Sequence, residues 1–326
     1  MILHENKSLF QDAVIATAQQ LNIPEIYVEK DYWVTVALYT IYHSPIANEA
    51  IFKGGTALSK CHKLIERFSE DVDIVVIKKL GESNNKLKNK LKDITDAVNT
   101  ILPEIEILGI TNKLGMIRKT AHTYTKQNFN DSFGQVREQI IIEATWLGSS
   151  EPSISSQVSS YIYDMMVATN QLSLIEKYRL QKFEVRVLSK ERTLAEKVMS
   201  LVRFSQTVTP YEDLANKIRH IYDIHMMLKN EEVNHFLDSI AFSELLCKVG
   251  SDDWISFKNN NDWLNNHPKT SIIFSQPEDT WNRIRNTYNT TFKDLVLGEL
   301  PSEIELIATL KKIGNRLDNI KWTIEK

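Results

Sequence analysis

The run Val72-Asp73-Ile74-Val75-Val76-Ile77 constrains the fold more than any other part of the chain. It is β-branched at every position but one and reads as a strand. The exception, Asp73, is an acid, and a second acid, Asp71, stands two positions earlier. Residues i and i+2 of a strand project from the same face, so both carboxylates share a side. Two like charges on an apolar strand repel each other and require a counter-ion. Upstream, Ile51-Phe52-Lys53 reads as a short strand that runs into Gly54-Gly55. Thr56–Phe68 then has helical spacing, with Leu58, Cys61, Leu64 and Ile65 on one side. The order is strand, paired glycines, helix, acid-bearing strand.

The rest of the chain divides in two. Lys7–Leu21 and Ile26–Tyr42 read as amphipathic helices joined at Asn22-Ile23-Pro24, and Asn84–Ile101 as a helix that stops before Pro103. Strands are expected at Glu104–Ile110, Leu114–Lys119, Val136–Trp146 and Phe183–Leu188, with the serine-rich Gly148–Ser160 as an exposed connection. Beyond Glu191 the pattern is helical: Thr193–Gln206, Glu212–Lys229, Glu231–Lys248, Trp254–Asn265, Pro277–Leu297 and Ser302–Ile324. Mixed strands and helices followed by helices alone predict an α+β domain over residues 1–190 and a mostly helical domain over residues 191–326.

Composition narrows the class. With 42% hydrophobic and 25% charged residues, the chain can fill a core and stay in solution. Cys61 and Cys247 form neither a metal-type spacing nor a disulfide framework, which suits a reducing cytoplasm. The opening residues turn polar too early for a secretory segment, and no apolar run approaches the roughly 20 residues of a membrane helix. A cytoplasmic protein without membrane contact is expected. The net charge of −3 excludes a uniformly basic nucleic-acid binder. Two stretches are nonetheless basic. Lys78, Lys79, Lys86, Lys88, Lys90 and Lys92 face the single acid Glu82, and Lys113–Arg137 carries five basic residues against Asp131. Each stretch is a candidate RNA-backbone contact or a solvated face.

The chemistry is concentrated between Phe52 and Ile77. Paired glycines let a backbone approach a phosphate closely, a helix start offers free N–H groups, and Thr56 adds a hydroxyl. Taken alone, such a turn is most often only a tight turn. Asp71 and Asp73 suit a divalent cation, and Mg²⁺ is the usual choice where carboxylates meet a triphosphate. A lone pair of acids spaced this way is commonly surface decoration; its place one helix after Gly54-Gly55 argues for function. Glu143, in the apolar run Ile140-Ile141-Ile142-Glu143-Ala144, is a candidate third ligand or else an acid paired with a lysine or arginine. His220 and His225 stand five apart, unsuited to a helical metal pair, and Trp254, Trp263 and Trp281 read as core.

The strings Phe52-Lys53-Gly54-Gly55-Thr56-Ala57-Leu58-Ser59 and Arg67-Phe68-Ser69-Glu70-Asp71-Val72-Asp73 closely resemble the AbiEii/AbiGii toxin family of nucleotidyltransferases. That family includes the MenT toxins and lies within the polymerase-beta-like superfamily. Two later blocks extend the resemblance: Arg192-Thr193-Leu194-Ala195-Glu196-Lys197 and Arg219-His220-Ile221-Tyr222-Asp223-Ile224. It implies a polymerase-beta-like domain with a mixed sheet, followed by helices that contribute to the site. Asp71 and Asp73 would be catalytic and metal-binding. Gly54, Gly55, Thr56 and Ser59 would lie near the triphosphate, with Arg67 and Ser69 as further phosphate contacts. Lys197 would neutralise charge on the leaving pyrophosphate, and Asp223 would be the later catalytic acid, orienting Lys197 or the acceptor. Glu143 is a weaker carry-over as a metal ligand. Superfamily members often carry Gly-Ser where this chain has Gly55-Thr56, which keeps the hydroxyl.

The resemblance implies a Mg²⁺-dependent toxin of a toxin–antitoxin or phage-defence pair. It would transfer nucleotides from an NTP to RNA, with the tRNA 3′ end as acceptor and a cognate antitoxin as partner. Two other readings stand beside it: the same chemistry on a protein or small-molecule hydroxyl, and a nucleotide-binding module without turnover. Without relevance to catalysis, Asp71→Ala would leave toxicity unchanged.

Overall fold

The acid-bearing run lies near the middle of a seven-stranded mixed sheet in a computed structural model, which describes residues 1–127, 129 and 136–326. Asp131, counted above against the second basic stretch, lies outside the described residues. The chain forms two units. One comprises Met1–Cys61, Phe68–Trp146 and Ser153–Leu188, and the other His62–Arg67, Leu147–Pro152 and Ser189–Lys326.

The first unit holds the sheet. Its strands are β1 (Ala50–Lys53), β2 (Val72–Val76), β3 (Glu104–Ile105), β4 (Ile117–His122), β5 (Ile140–Thr145), β6 (Ser153–Val158) and β7 (Phe183–Leu188), in the order β3-β4-β5-β2-β1-β7-β6. Strand β2 runs antiparallel to β1 and parallel to β5, and β1 runs parallel to β7. Six helices accompany it: α1 (Lys7–Leu21), α2 (Glu25–Tyr42), α3 (Gly54–Lys60), α4 (Asn84–Asn99), α5 (Tyr161–Ala168) and α6 (Leu172–Lys177).

Alternation along the strands divides the sheet chemically. Phe52, Val72, Ile74, Val76, Ile140, Ile142, Val185 and Val187 belong to the main core, with side chains from α1, α2, α4 and α5. Each such aromatic or branched side chain contributes about 1.5–3 kcal/mol by leaving water. The other face carries a small apolar cluster, Ile51, Val75 and Leu188. Asp73, two residues before Val75, belongs to this second face.

Several sequence expectations are corrected. Helix α2 is not amphipathic: Ile26 to Leu38 is buried without a break, Glu29, Lys30 and Asp31 included. It lies in the middle of its layer, touching the sheet as well as α1, α4 and α5. Asp31 is paired with Lys60 at 2.5 Å and Lys30 with Glu70 at 3.1 Å, while Glu29 accepts from the Gln127 backbone N–H at 2.8 Å. Helix α3 stops at Lys60 rather than Phe68. Lys60 is drawn into the core, where it donates to Asp31, Thr35 Oγ1 and the Ser159 carbonyl, and Lys63 soon follows with a φ of 54°. The serine-rich connection contains β6, paired with β7 along its whole length. It is polar because it is an edge strand, whose exposed side faces no core.

The second unit is helical: α7 (Lys190–Phe204), α8 (Pro210–Asn216), α9 (Ile218–Leu228), α10 (Glu231–Asp238), α11 (Ile240–Ser256), α12 (Ile272–Ser275), α13 (Pro277–Thr287) and α14 (Glu303–Asp318). Glu231–Lys248 and Glu212–Lys229 are each split, and the expected helix Trp254–Asn265 is not formed, its first residues ending α11 and its last making a 3-10 turn over Asp262–Asn265. Ser239, with φ −85° and ψ 162°, ends α10 and caps α11 by accepting from Phe242 N. Such a hydroxyl satisfies one of the free N–H groups at a helix start. The other break falls at Lys217, between α8 and α9. Trp281 and Trp263 are buried as expected, Trp281 also donating to Glu303 at 2.9 Å. No described helix is long and apolar enough to cross a membrane.

Candidate active site

Four neighbouring strands bring charged residues into one row. Lys53 on β1 is the partner of Asp73 on β2, Asp73 is level with Glu143 on β5, and Glu143 is the partner of Lys119 on β4. Directly paired residues point to the same side of a sheet, so the row reads plus, minus, minus, plus across one face. Lys119 Nζ bonds Glu143 Oε2 at 3.0 Å. Asp71, just before β2, accepts from Arg137 Nη1 at 2.9 and 3.2 Å. Burial first, and then the charges of Glu143 and Asp71, push the Asp73 carboxyl above its ordinary range, while Lys53 and Lys119 oppose the rise.

The surrounding backbone is shaped for this carboxylate. Gly54 has a φ of 81°, and a Cβ there would fall 2.0 Å from Asp73 Oδ2. Gly54 thus gives the acid room. A Gly54→Ala variant must move Asp73 as well as adopt a backbone that costs an L-residue about 1–2 kcal/mol. It is expected to lose about a hundredfold in nucleotide transfer with only a small drop in melting temperature, measured side by side on the purified protein.

Thr56 is buried and donates to the Asp71 carbonyl at 2.6 Å, with Ser69 Oγ 3.0 Å away. Its hydroxyl fixes the loop that delivers Asp71 to the site. Ser59 hydrogen-bonds Tyr161. Glu70 joins Lys30 at 3.1 Å and accepts from the Arg137 backbone N–H at 2.9 Å, so the same acid braces the segment that presents Arg137.

In the second unit three sequence-singled residues meet. Arg67 grips Asp223 with two bonds, Nε to Oδ1 at 2.7 Å and Nη2 to Oδ2 at 2.8 Å, and Lys197 Nζ donates to Oδ2 at 2.8 Å. Asp223 is fully buried. Burial alone would raise its pKa, but Arg67 and then Lys197 hold it well below the usual carboxylate range. Helix α7 supplies Lys197 and α9 supplies Asp223. His220, on α9, has its pKa driven well down by burial and by Lys197 and Lys217, so its ring is neutral. His225 bonds Thr309 Oγ1 at 2.9 Å. Glu196 is not a solvent partner of Lys197; it binds Arg192 Nε at 3.0 Å, and Arg192 also reaches Asp252 at 2.8 Å.

The family model for the nucleotidyl transferase AbiEii toxin of the type IV toxin–antitoxin system matches residues 36–309. The chain belongs to the AbiEii family. It is accordingly a nucleotidyltransferase toxin of that system, with a nucleoside triphosphate as substrate and an antitoxin as counterpart. Among solved structures it is similar to MenT4, a nucleotidyltransferase toxin from Mycobacterium tuberculosis, at 14% identity and a TM-score of 0.41, covering 92% of this chain and 98% of that one. No curated protein matches it.

Within this AbiEii-family chain, the residues singled out from sequence fall into two groups. Gly54, Gly55, Thr56, Ser59, Ser69, Asp71, Asp73 and Glu143 lie in the first unit, and Arg67, Lys197 and Asp223 in the second. Sequence reasoning missed Lys53, Lys119 and Arg137 as members of the acidic site. Lys119 and Arg137 had stood as candidate RNA contacts, because their cross-strand and loop partners are invisible in a linear sequence. The only signal for Lys53 is its place directly before Gly54-Gly55.

The basic stretches look different once folded. Lys79 and Lys90 pair with Glu49, Lys86 and Lys90 with Glu82, and Lys92 with Asp96. In the second stretch Lys113 pairs with Glu104 and Lys126 with Glu138, beside the Lys119 and Arg137 pairs already described. Most of these side chains thus have a carboxylate partner, Glu82 within the first stretch and Glu49, Asp96, Glu104, Glu138, Glu143 and Asp71 outside the counted acids.

Proposed function

We propose that this AbiEii-family toxin is a Mg²⁺-dependent enzyme that transfers nucleotides from an NTP to the 3′ end of tRNA. The observation that carries the reading is Asp73 level with Glu143 on the neighbouring strand, with Asp71 two positions before Asp73 and a Gly54 whose Cβ would strike the Asp73 carboxylate. Three carboxylates supply the hard oxygen donors that Mg²⁺ prefers; burial first, and then the charges of Glu143 and Asp71, work against the Asp73 carboxylate, and a cation would offset both. The donor chemistry fits. Among the described residues no group of three or more His, Cys, Asp or Glu is drawn together around a common point, and Asp71 and Glu143 turn toward Arg137 and Lys119.

Asp71, Asp73 and Glu143 would hold the metal. Bound there, it would supply an acidified acceptor hydroxyl and charge stabilisation at the phosphates. The chain's own residues do the rest. Gly54 leaves room for the Asp73 carboxylate, and the Thr56 bond to the Asp71 carbonyl fixes the backbone that carries Asp71. The 3′-hydroxyl attacks the α-phosphate in line, its proton passing to a site carboxylate, and the bond to pyrophosphate breaks. The family resemblance gives Lys197 the task of neutralising the leaving group, and Asp223 and Arg67 give its ammonium one direction.

A second reading keeps the chemistry and changes the acceptor to a protein or small-molecule hydroxyl. The net charge of −3 and the carboxylate partners of Lys79, Lys86, Lys90 and Lys92 favour it, since both weaken the pull on an RNA backbone. Incubation with each α-³²P-NTP, total tRNA and a protein extract separates the two. Label on tRNA, lost in Asp71→Ala and on metal chelation, is the expected result. Label on the protein fraction alone overturns the RNA acceptor.

A further inference from the structure

The charges around the acids balance: Asp71, Asp73 and Glu143 are matched by Lys53, Lys119 and Arg137. A neutral cluster attracts a divalent cation weakly, however good its oxygen donors. Two of the three cations sit directly on proposed metal ligands, Lys119 at 3.0 Å from Glu143 and Arg137 at 2.9 Å from Asp71. For those oxygens to hold a metal, the two cations must leave them. Both side chains are built to move. Lys119 is 29% and Arg137 43% exposed, against 0% for Lys30, which is locked in the core. Arg137's backbone, by contrast, is pinned by Glu70, so the guanidinium swings from a fixed anchor.

We propose that Lys119 and Arg137 are exchangeable counter-ions that pass from Glu143 and Asp71 to the triphosphate when metal and NTP bind together. The inference rests on the metal-site reading above. A triphosphate carries the negative charge that the released ammonium and guanidinium require, and Arg presents the planar fork that suits phosphate oxygens. Metal and nucleotide thereby lower each other's dissociation constants, because each removes an obstacle to the other, and such coupling is reciprocal. The two residues are then triphosphate ligands in the loaded enzyme and metal mimics in the free one.

The test measures Mn²⁺ binding by electron paramagnetic resonance on the full chain, with and without α,β-imido-NTPs of each base. For the natural protein at least one analogue is expected to tighten Mn²⁺ binding by about tenfold or more. In the double variant Lys119→Met with Arg137→Met, Mn²⁺ alone should bind about tenfold tighter than in the natural protein, because two net negative charges are exposed. The analogue should bind about tenfold weaker, and the coupling should fall to the part that direct contact between metal and phosphates supplies. Arg137→Lys, which keeps the charge but not the fork, should leave Mn²⁺ binding alone near that of the natural protein and weaken the analogue less than the double variant does. A folded double variant, judged by circular dichroism and melting, that binds Mn²⁺ no tighter than the natural protein overturns the exchange. Asp73→Asn tells the two ideas apart. If it binds Mn²⁺ with the analogue as tightly as the natural protein does, the metal site itself is elsewhere, and the exchange falls with it.

Discussion

Asp73→Asn is expected to lower nucleotide transfer by at least about a hundredfold to a thousandfold while making the protein no less stable. The two halves of this result have one cause. In the folded protein Asp73 is held in a place where burial and the neighbouring acids Glu143 and Asp71 work against its charge. An asparagine keeps the shape, fits beside Gly54 as the acid does, and removes the repulsion. A side chain that costs the fold something and is retained is a common mark of function, and its removal often stabilises. Thermal melts of the two proteins beside an α-³²P-NTP transfer assay decide the matter. A fully active Asp73→Asn would sink the assignment of this row to catalysis.

Asp223→Ala should have the largest effect on folding. The carboxylate is wholly buried and shared by Arg67 and Lys197, so its loss leaves two cations in a dry place without a counter-charge. Breaking a buried ion pair in this way costs about 3–5 kcal/mol, which is a large part of a typical domain's stability. Lys197→Met is the informative contrast. It leaves the doubly bonded Arg67–Asp223 pair in place and should cost less in stability, yet on the proposed role of Lys197 it should abolish transfer. Urea melts rank the two. The same cluster predicts the acid limb of the stability curve. The folded pKa of Asp223 lies below its unfolded value, so the stabilisation is complete above about pH 3.9 and drains away as the pH falls toward the folded value. Asp223→Asn should flatten that limb.

The parts of the fold legible in the sequence are those whose signal is local. Phe183–Leu188 is a strand by its own alternation, and Lys7–Leu21 a helix by its own spacing; both are found with the expected bounds. What failed depended on partners distant in the chain. Helix α2 looked amphipathic because its buried Glu29, Lys30 and Asp31 read as a polar face, and only their partners explain how charges can lie in a core. Strand β6 looked like a loop because an edge strand needs no apolar pattern. Asp71 and Asp73 announced themselves as repelling neighbours two positions apart. Lys119 and Arg137 did not, because what brings them to the acids is strand register and a bracing bond from Glu70, neither written in any short motif.

Arg67 and Asp223 are separated by 156 positions, and the short segment that carries Arg67 belongs to the second unit although the first unit's sequence surrounds it. On a ribosome adding about 5–20 residues per second, Arg67 waits roughly 10–30 seconds for its carboxylate to be made. The first unit can gather its sheet during that interval, but the stretch between Cys61 and Phe68 stays unfinished, a loop between the glycine turn and the first acid. A toxin assembled in this order gains its buried Arg67–Asp223 pair only once the segment around Asp223 has been made.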